Sequence, residues 1–194
     1  MAPKQKPGRS KQDYCTSPEF LKALKHRLGI ENFHLDVAAS EENSVGLRWF
    51  TEEHDALRPE VSWKDGWAFC NPPFGHIEPW VKKAWEEAQR GAWIAMLLPA
   101  GVGANWWRDY VDGKAHVLLL NGRLVFTGET TPYPKDCVLL LYTPYIRGGY
   151  EVWNWRKECE SELLAQKELS SQSLAKSEPD LLLQISSDLW KLGV

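Results

Sequence analysis

Residues 66–99, GWAFCNPPFGHIEPWVKKAWEEAQRGAWIAMLLP, hold an apolar run, a rigid turn, an amphipathic stretch and a longer apolar run, in that order. GWAFC reads as a strand that leads straight into Asn71. From residue 77 to 90, Ile77, Val81, Ala84, Trp85 and Ala88 share one helical face, and Gly91 ends the helix. AWIAMLLP is apolar throughout and ends at Pro99, the pattern of a strand buried on both faces. A strand–helix–strand unit of this kind argues for an α/β sheet covered by helices on both sides.

The flanking sequence extends the same pattern. SPEFLKALKHRLG (17–29) reads as a helix, with Ser17 as N-cap, Pro18 in the first turn and Gly29 as the stop. Short strands are expected at 33–37, in GLRWFT (46–51), in AHVLLLNGRLVF (115–126) and in DCVLLLYTP (136–144), with a short helix or turn in NWWRDYVDG (105–113). In sheets of this type ligands gather beyond the carboxyl ends of the strands. Asp36 and Asn71 both fall there, so the two best site candidates face one crevice.

With 194 residues, 43% of them hydrophobic, the chain fits one domain with tails, and its mean hydropathy of -0.43 is that of a soluble protein. It has no apolar run of the roughly 18 residues a membrane span needs, and MAPKQKPGRSKQ is not a secretory leader. A cytoplasmic location follows as the expectation, with Cys15, Cys70, Cys137 and Cys159 as free thiols. No cysteine–histidine spacing suggests a metal site. The net charge of -3 carries no global signature of nucleic-acid binding, but Lys4, Lys6, Arg9 and Lys11 make residues 1–13 a basic arm expected to be disordered. A catalytic domain is expected over 14–156. Residues 157–194 read as a polar linker and an amphipathic terminal helix, which packs on its own domain or makes a homodimer contact.

The Asn71-Pro72-Pro73-Phe74 turn suits an amine on a flat base. An exocyclic amine such as adenine N6 is a poor nucleophile, because its lone pair is delocalised into the ring. Two acceptors for its two N–H groups let the nitrogen move toward tetrahedral geometry. The Asn71 side-chain oxygen supplies one and the Pro72 carbonyl the other, and the fixed φ of proline holds both in place beforehand. Neither proline has an N–H to compete for them. Phe74 offers a flat apolar face to a base taken out of its stack, worth roughly 1–3 kcal/mol.

Taken with TSPEF (16–20), LDVAAS (35–40), WFTEEHDAL (49–57), LLPAGVGANWW (97–107) and NGRLVFTGETTPYPKDCVLLLY (121–142), this motif resembles the phage-type DNA N6-adenine methyltransferases over roughly residues 13–145. The resemblance implies a Rossmann-like class I methyltransferase fold, with a mixed, mostly parallel sheet and helices on both faces. It implies S-adenosylmethionine as cofactor, double-stranded DNA as substrate, and the host cytoplasm as location if the protein is phage-encoded. Asn71, Pro72, Pro73 and Phe74 match the catalytic motif. Asp36, Val37 and Ala38 match the start of the cofactor loop, and Thr16, Ser17 and Pro18 match the opening segment beside the cofactor's methionine part. Ribose hydroxyls need a carboxylate acceptor, for which Glu52 and Asp55 both remain open. Two departures stand out: the loop after the first strand lacks glycine, and Phe74 stands where Tyr is common.

Other readings accompany these. The same motif serves cytosine N4, adenine in RNA and glutamine in proteins, and a catalytically silent DNA-binding relative would keep the fold. Asp36 is alternatively a turn cap, Glu52 and Asp55 surface carboxylates, His76 an exposed loop residue, Trp106 and Trp107 core, and Arg123 half of an ion pair. With so short a chain, DNA-reading elements are expected in loops around 101–113 or 127–136.

Overall fold

The structure, a computed structural model, describes residues 14–145 and 148–158. Those up to Trp155 belong to one compact unit, and Arg156 opens a second. The basic arm and the terminal helix with its dimer contact lie outside the described residues, as does all of the linker but 157 and 158.

Helix α1 (Pro18–Leu28) starts where the sequence says it should: the Ser17 hydroxyl accepts from the Phe20 amide, and Gly29 closes the helix at a φ of 66°. Strand β1 (Phe33–Asp36), β2 (Gly46–Trp49), a 3-10 turn (Glu52–His54) and β3 (Trp67–Cys70) follow. Then come α2 (Glu78–Gln89), β4 (Trp93–Pro99), α3 (Asn105–Tyr110), β5 (His116–Leu120), β6 (Cys137–Tyr142) and β7 (Tyr150–Trp153). Among the described residues the strands form one sheet in the order β2-β1-β3-β4-β6-β5-β7. β6 alone runs antiparallel to its neighbours; every other pairing is parallel. The mixed, mostly parallel Rossmann-like sheet expected from the sequence is therefore present.

Register shows how the two faces are covered. One cross-sheet row aligns Leu97, Leu139, Leu118 and Glu151, and Arg27 of α1 pairs with Glu151 at 2.7 Å. Phe20 of α1 also packs on Trp153 and Trp155. The adjacent row, Met96, Leu140, Val117 and Tyr150, points the other way. Its first three members join Val81, Ala84 and Ala88 of α2 and Trp107 of α3 in one buried cluster. Tyr150 donates to Asp112, just past α3. Helices thus lie on both faces, and β4 is buried from Ile94 to Leu98 as its unbroken apolar run requires.

One strand was not legible beforehand. β7 is a short edge strand with Tyr150 and Val152 exposed, so YEVW has no apolar run to mark it. Strand β5 ends at Leu120, inside the stretch 115–126 expected to contain it.

Candidate active site

Between β1 and β3 the chain order reverses: β1 leads outward to β2, and β3 leads the other way to β4. A sheet opens a crevice at such a switch point, beyond the carboxyl ends of its strands. A cavity of about 1380 Å³ lies there, and its wall includes Thr16, Asp36, Val37, Ala38, Asn71 and Pro73. Glu52 and Asp55 line it as well.

Asp36 ends β1 with its side chain 4% exposed. One carboxylate oxygen accepts from the Ala38 amide at 3.2 Å and the other from the Val45 amide at 3.1 Å. The Ser40 amide donates to the Asn43 side chain at 2.7 Å, closing the turn between them. These side-chain bonds fold the loop 37–45 without any residue in the left-handed region, which explains how it dispenses with glycine. Burial pushes the Asp36 pKa up to about 6, against an ordinary 3.8, while the bonds from Val45 and Ala38 pull it down. The carboxylate is a loop cap and a cavity wall at once.

Glu52 and Asp55 both line the cavity and are exposed, and Asp55 adopts a left-handed φ of 45°. Glu41, Glu42 and Glu53 line the same space, so six acidic residues face it, with His76 the only basic one among the described residues. His76 is exposed, as expected of a loop residue, but it does border the cavity.

Asn71 follows β3 directly. Its amide nitrogen donates to the Tyr14 carbonyl at 2.5 Å and to the Thr16 hydroxyl at 3.1 Å. Its Oδ1 is buried and has no partner among the described residues. A carbonyl only accepts, so the atom facing Tyr14 has to be the nitrogen and the orphan atom the oxygen. Buried acceptors are nearly always satisfied, and an orphan one invites a donor from outside.

The remaining sequence candidates fall beside the cavity instead of on its wall. Ser17 caps α1 and Pro18 forms its first turn. Pro72, the second residue of the motif, is buried. Phe74 is half-buried in a four-ring cluster: Tyr14 stacks on it with centroids 5.8 Å apart, and Tyr133 and Phe126 lie at 5.6 and 6.1 Å. The open face expected for Phe74 thus has Tyr14 against it. Nothing in the sequence links residues 14, 74, 126 and 133, so the cluster had no signal to find. Of the other candidates, Trp107 is core, Trp106 packs on Trp107, and Arg123 pairs with Asp136.

Comparison with known proteins adds a lineage. Residues 4–147 match the family model described as DNA N-6-adenine-methyltransferase (Dam). A protein of Escherichia phage T1 named DNA N-6-adenine-methyltransferase is 30% identical over 125 residues, 63% of this chain and 50% of that protein. The chain therefore spans about half the length of this curated relative. Among solved structures, one described as a predicted O-methyltransferase, protein Atu636 from Agrobacterium tumefaciens, matches with a TM-score of 0.39 and 13% identity. The match covers 74% of this chain and 80% of that one, a likeness too low to bear on fold or function.

Proposed function

Because the chain belongs to the DNA N-6-adenine-methyltransferase family, we propose that it transfers a methyl group to the N6 amine of adenine in double-stranded DNA. The observation that carries this reading is the buried, unpartnered Oδ1 of Asn71 at the carboxyl end of β3. In this reading it accepts one N–H of the amine, and the Pro72 carbonyl takes the other. With both N–H groups held, the nitrogen's lone pair leaves conjugation with the ring and becomes a competent nucleophile. Oriented acceptors of this kind lower the barrier without reorganising during the reaction. The buried position of the Asn71 Oδ1 requires that the base leave the duplex to reach it.

The methyl donor we assign is S-adenosylmethionine, which when bound supplies an electrophilic methyl on a sulfonium. The cavity fits it in two respects. Its acid-rich wall suits a ligand bearing a sulfonium and an ammonium. Glu52 and Asp55 both present exposed carboxylates to it, suited to a ribose diol. Val37, Ala38 and Pro73 line the cavity too, Ala38 with its amide bonded to Asp36.

The reading predicts label from methyl-labelled S-adenosylmethionine in N6-methyladenine after digestion of unmethylated duplex DNA. Label in N4-methylcytosine would keep the amine chemistry and change the base. Label only on RNA or protein, with the donor still bound, would refute the DNA assignment.

A further inference from the structure

We propose that Thr16 is a positioning residue for Asn71, its hydroxyl taking the second amide proton and so fixing the rotation of an amide whose facing end the Tyr14 carbonyl selects; this rests on the proposed role of Asn71 as amine acceptor. Asn71 Nδ2 has two protons and two acceptors, the Tyr14 carbonyl and the Thr16 hydroxyl oxygen. With both used, a half-turn of the amide would set Oδ1 against the Tyr14 carbonyl, acceptor against acceptor. The oxygen is thereby held toward its unpartnered position.

The segment that holds the amide is itself anchored from the far side. Thr127 donates its amide to the Cys15 carbonyl at 2.8 Å and its hydroxyl to the Thr16 carbonyl at 3.3 Å. Thr127 belongs to the segment after β5, so three distant parts of the chain converge on one side-chain rotation. The Tyr14 ring, packed against Phe74, Phe126 and Tyr133, fixes the carbonyl that takes the other proton. Thr16 is buried at 9% exposure and also borders the cavity. That position gives it a rival role as a contact to the methyl donor, and the two roles predict different results.

The test uses the full chain with Thr16→Val, which keeps the shape and removes the acceptor, and Thr16→Ser, which restores it. For Thr16→Val we expect kcat for methyl transfer to fall about tenfold, with the thermal midpoint unchanged and calorimetric affinity for S-adenosylmethionine within about twofold. Thr16→Ser should recover most of the rate. Weakened donor affinity with kcat intact at saturation would make Thr16 a donor contact and overturn the proposal. A second readout does not depend on turnover: the side-chain amide protons of Asn71, followed by NMR on 15N-asparagine-labelled protein and assigned by their loss in Asn71→Ala. In Thr16→Val one of the two should shift and exchange faster, and an unchanged pair would refute the positioning role. If wild type transfers no methyl to DNA, the proposed function fails, while the amide signals still decide the case for Thr16.

Discussion

Asp36 pits burial against two backbone amides, and its titration makes that balance measurable. In the unfolded chain its carboxyl has a pKa of 3.8, and in the fold burial raises it to about 6. The folded state therefore binds the proton more tightly. Stability from this group is complete below about pH 4 and declines as the pH rises to about 6, by about 3 kcal/mol in all. Denaturant unfolding across that window should show the decline in wild type and lose it in Asp36→Asn, whatever the variant's absolute stability. An identical pH slope in both proteins would mean that Asp36 is not buried as described. At this scale the sequence was informative where chemistry demands a particular residue: Asn71 and Asp36 were legible from their places after apolar runs. The use of each side chain was less so. The turn-cap reading of Asp36 is met by its bonds to Ala38 and Val45, whereas the packing of Tyr14 on Phe74 depends on contacts across the fold that no local spacing encodes.

At the scale of elements, the cavity walls rest on two packed supports. Gly46 opens β2 where a Cβ would come within 2.5 Å of the Asp36 amide nitrogen and 2.7 Å of the Leu35 carbonyl carbon. These are backbone atoms and cannot step aside. Gly46→Ala should cost about 3 kcal/mol and weaken donor binding by pushing β2 and Val45 away from Asp36; calorimetry and thermal unfolding would register both effects. The other support is Lys83, 4% exposed on α2, whose ammonium donates to the Arg58 and Val61 carbonyls and to Glu87. Glu87 in turn accepts from the Trp63 amide. Lys83→Met leaves two carbonyls without their donor and Glu87 with its Arg90 and Trp63 bonds, and should destabilise by about 2–3 kcal/mol in denaturant unfolding. A loss below 1 kcal/mol would show that the network contributes little. The elements themselves were readable because helical and strand periodicities are strong here. β7 was not, because an exposed edge strand lacks an apolar stripe, and the reversed direction of β6 leaves no mark in its composition.

For the whole molecule, the account joins an acid-lined cavity to a polyanionic substrate, so cationic groups must lie elsewhere. Lys4, Lys6, Arg9 and Lys11 at the amino terminus are suited to phosphates. If all four contact the duplex, removing residues 1–13 should flatten the dependence of log affinity on log salt by about 3.6, since each neutralised phosphate contributes about 0.9. Fluorescence anisotropy over a salt series measures this, and an unchanged slope would exclude the arm from the interface. The central claim is that Asn71 Oδ1 activates an adenine amine, and the most direct measurement is single-turnover methyl transfer to duplex DNA by wild type and Asn71→Ala, with donor affinity determined in parallel. The account predicts label in N6-methyladenine that falls at least about 100-fold in the variant while donor affinity holds, because an oriented acceptor acts in the transition state. Transfer that survives the loss of Asn71 at a comparable rate would contradict it.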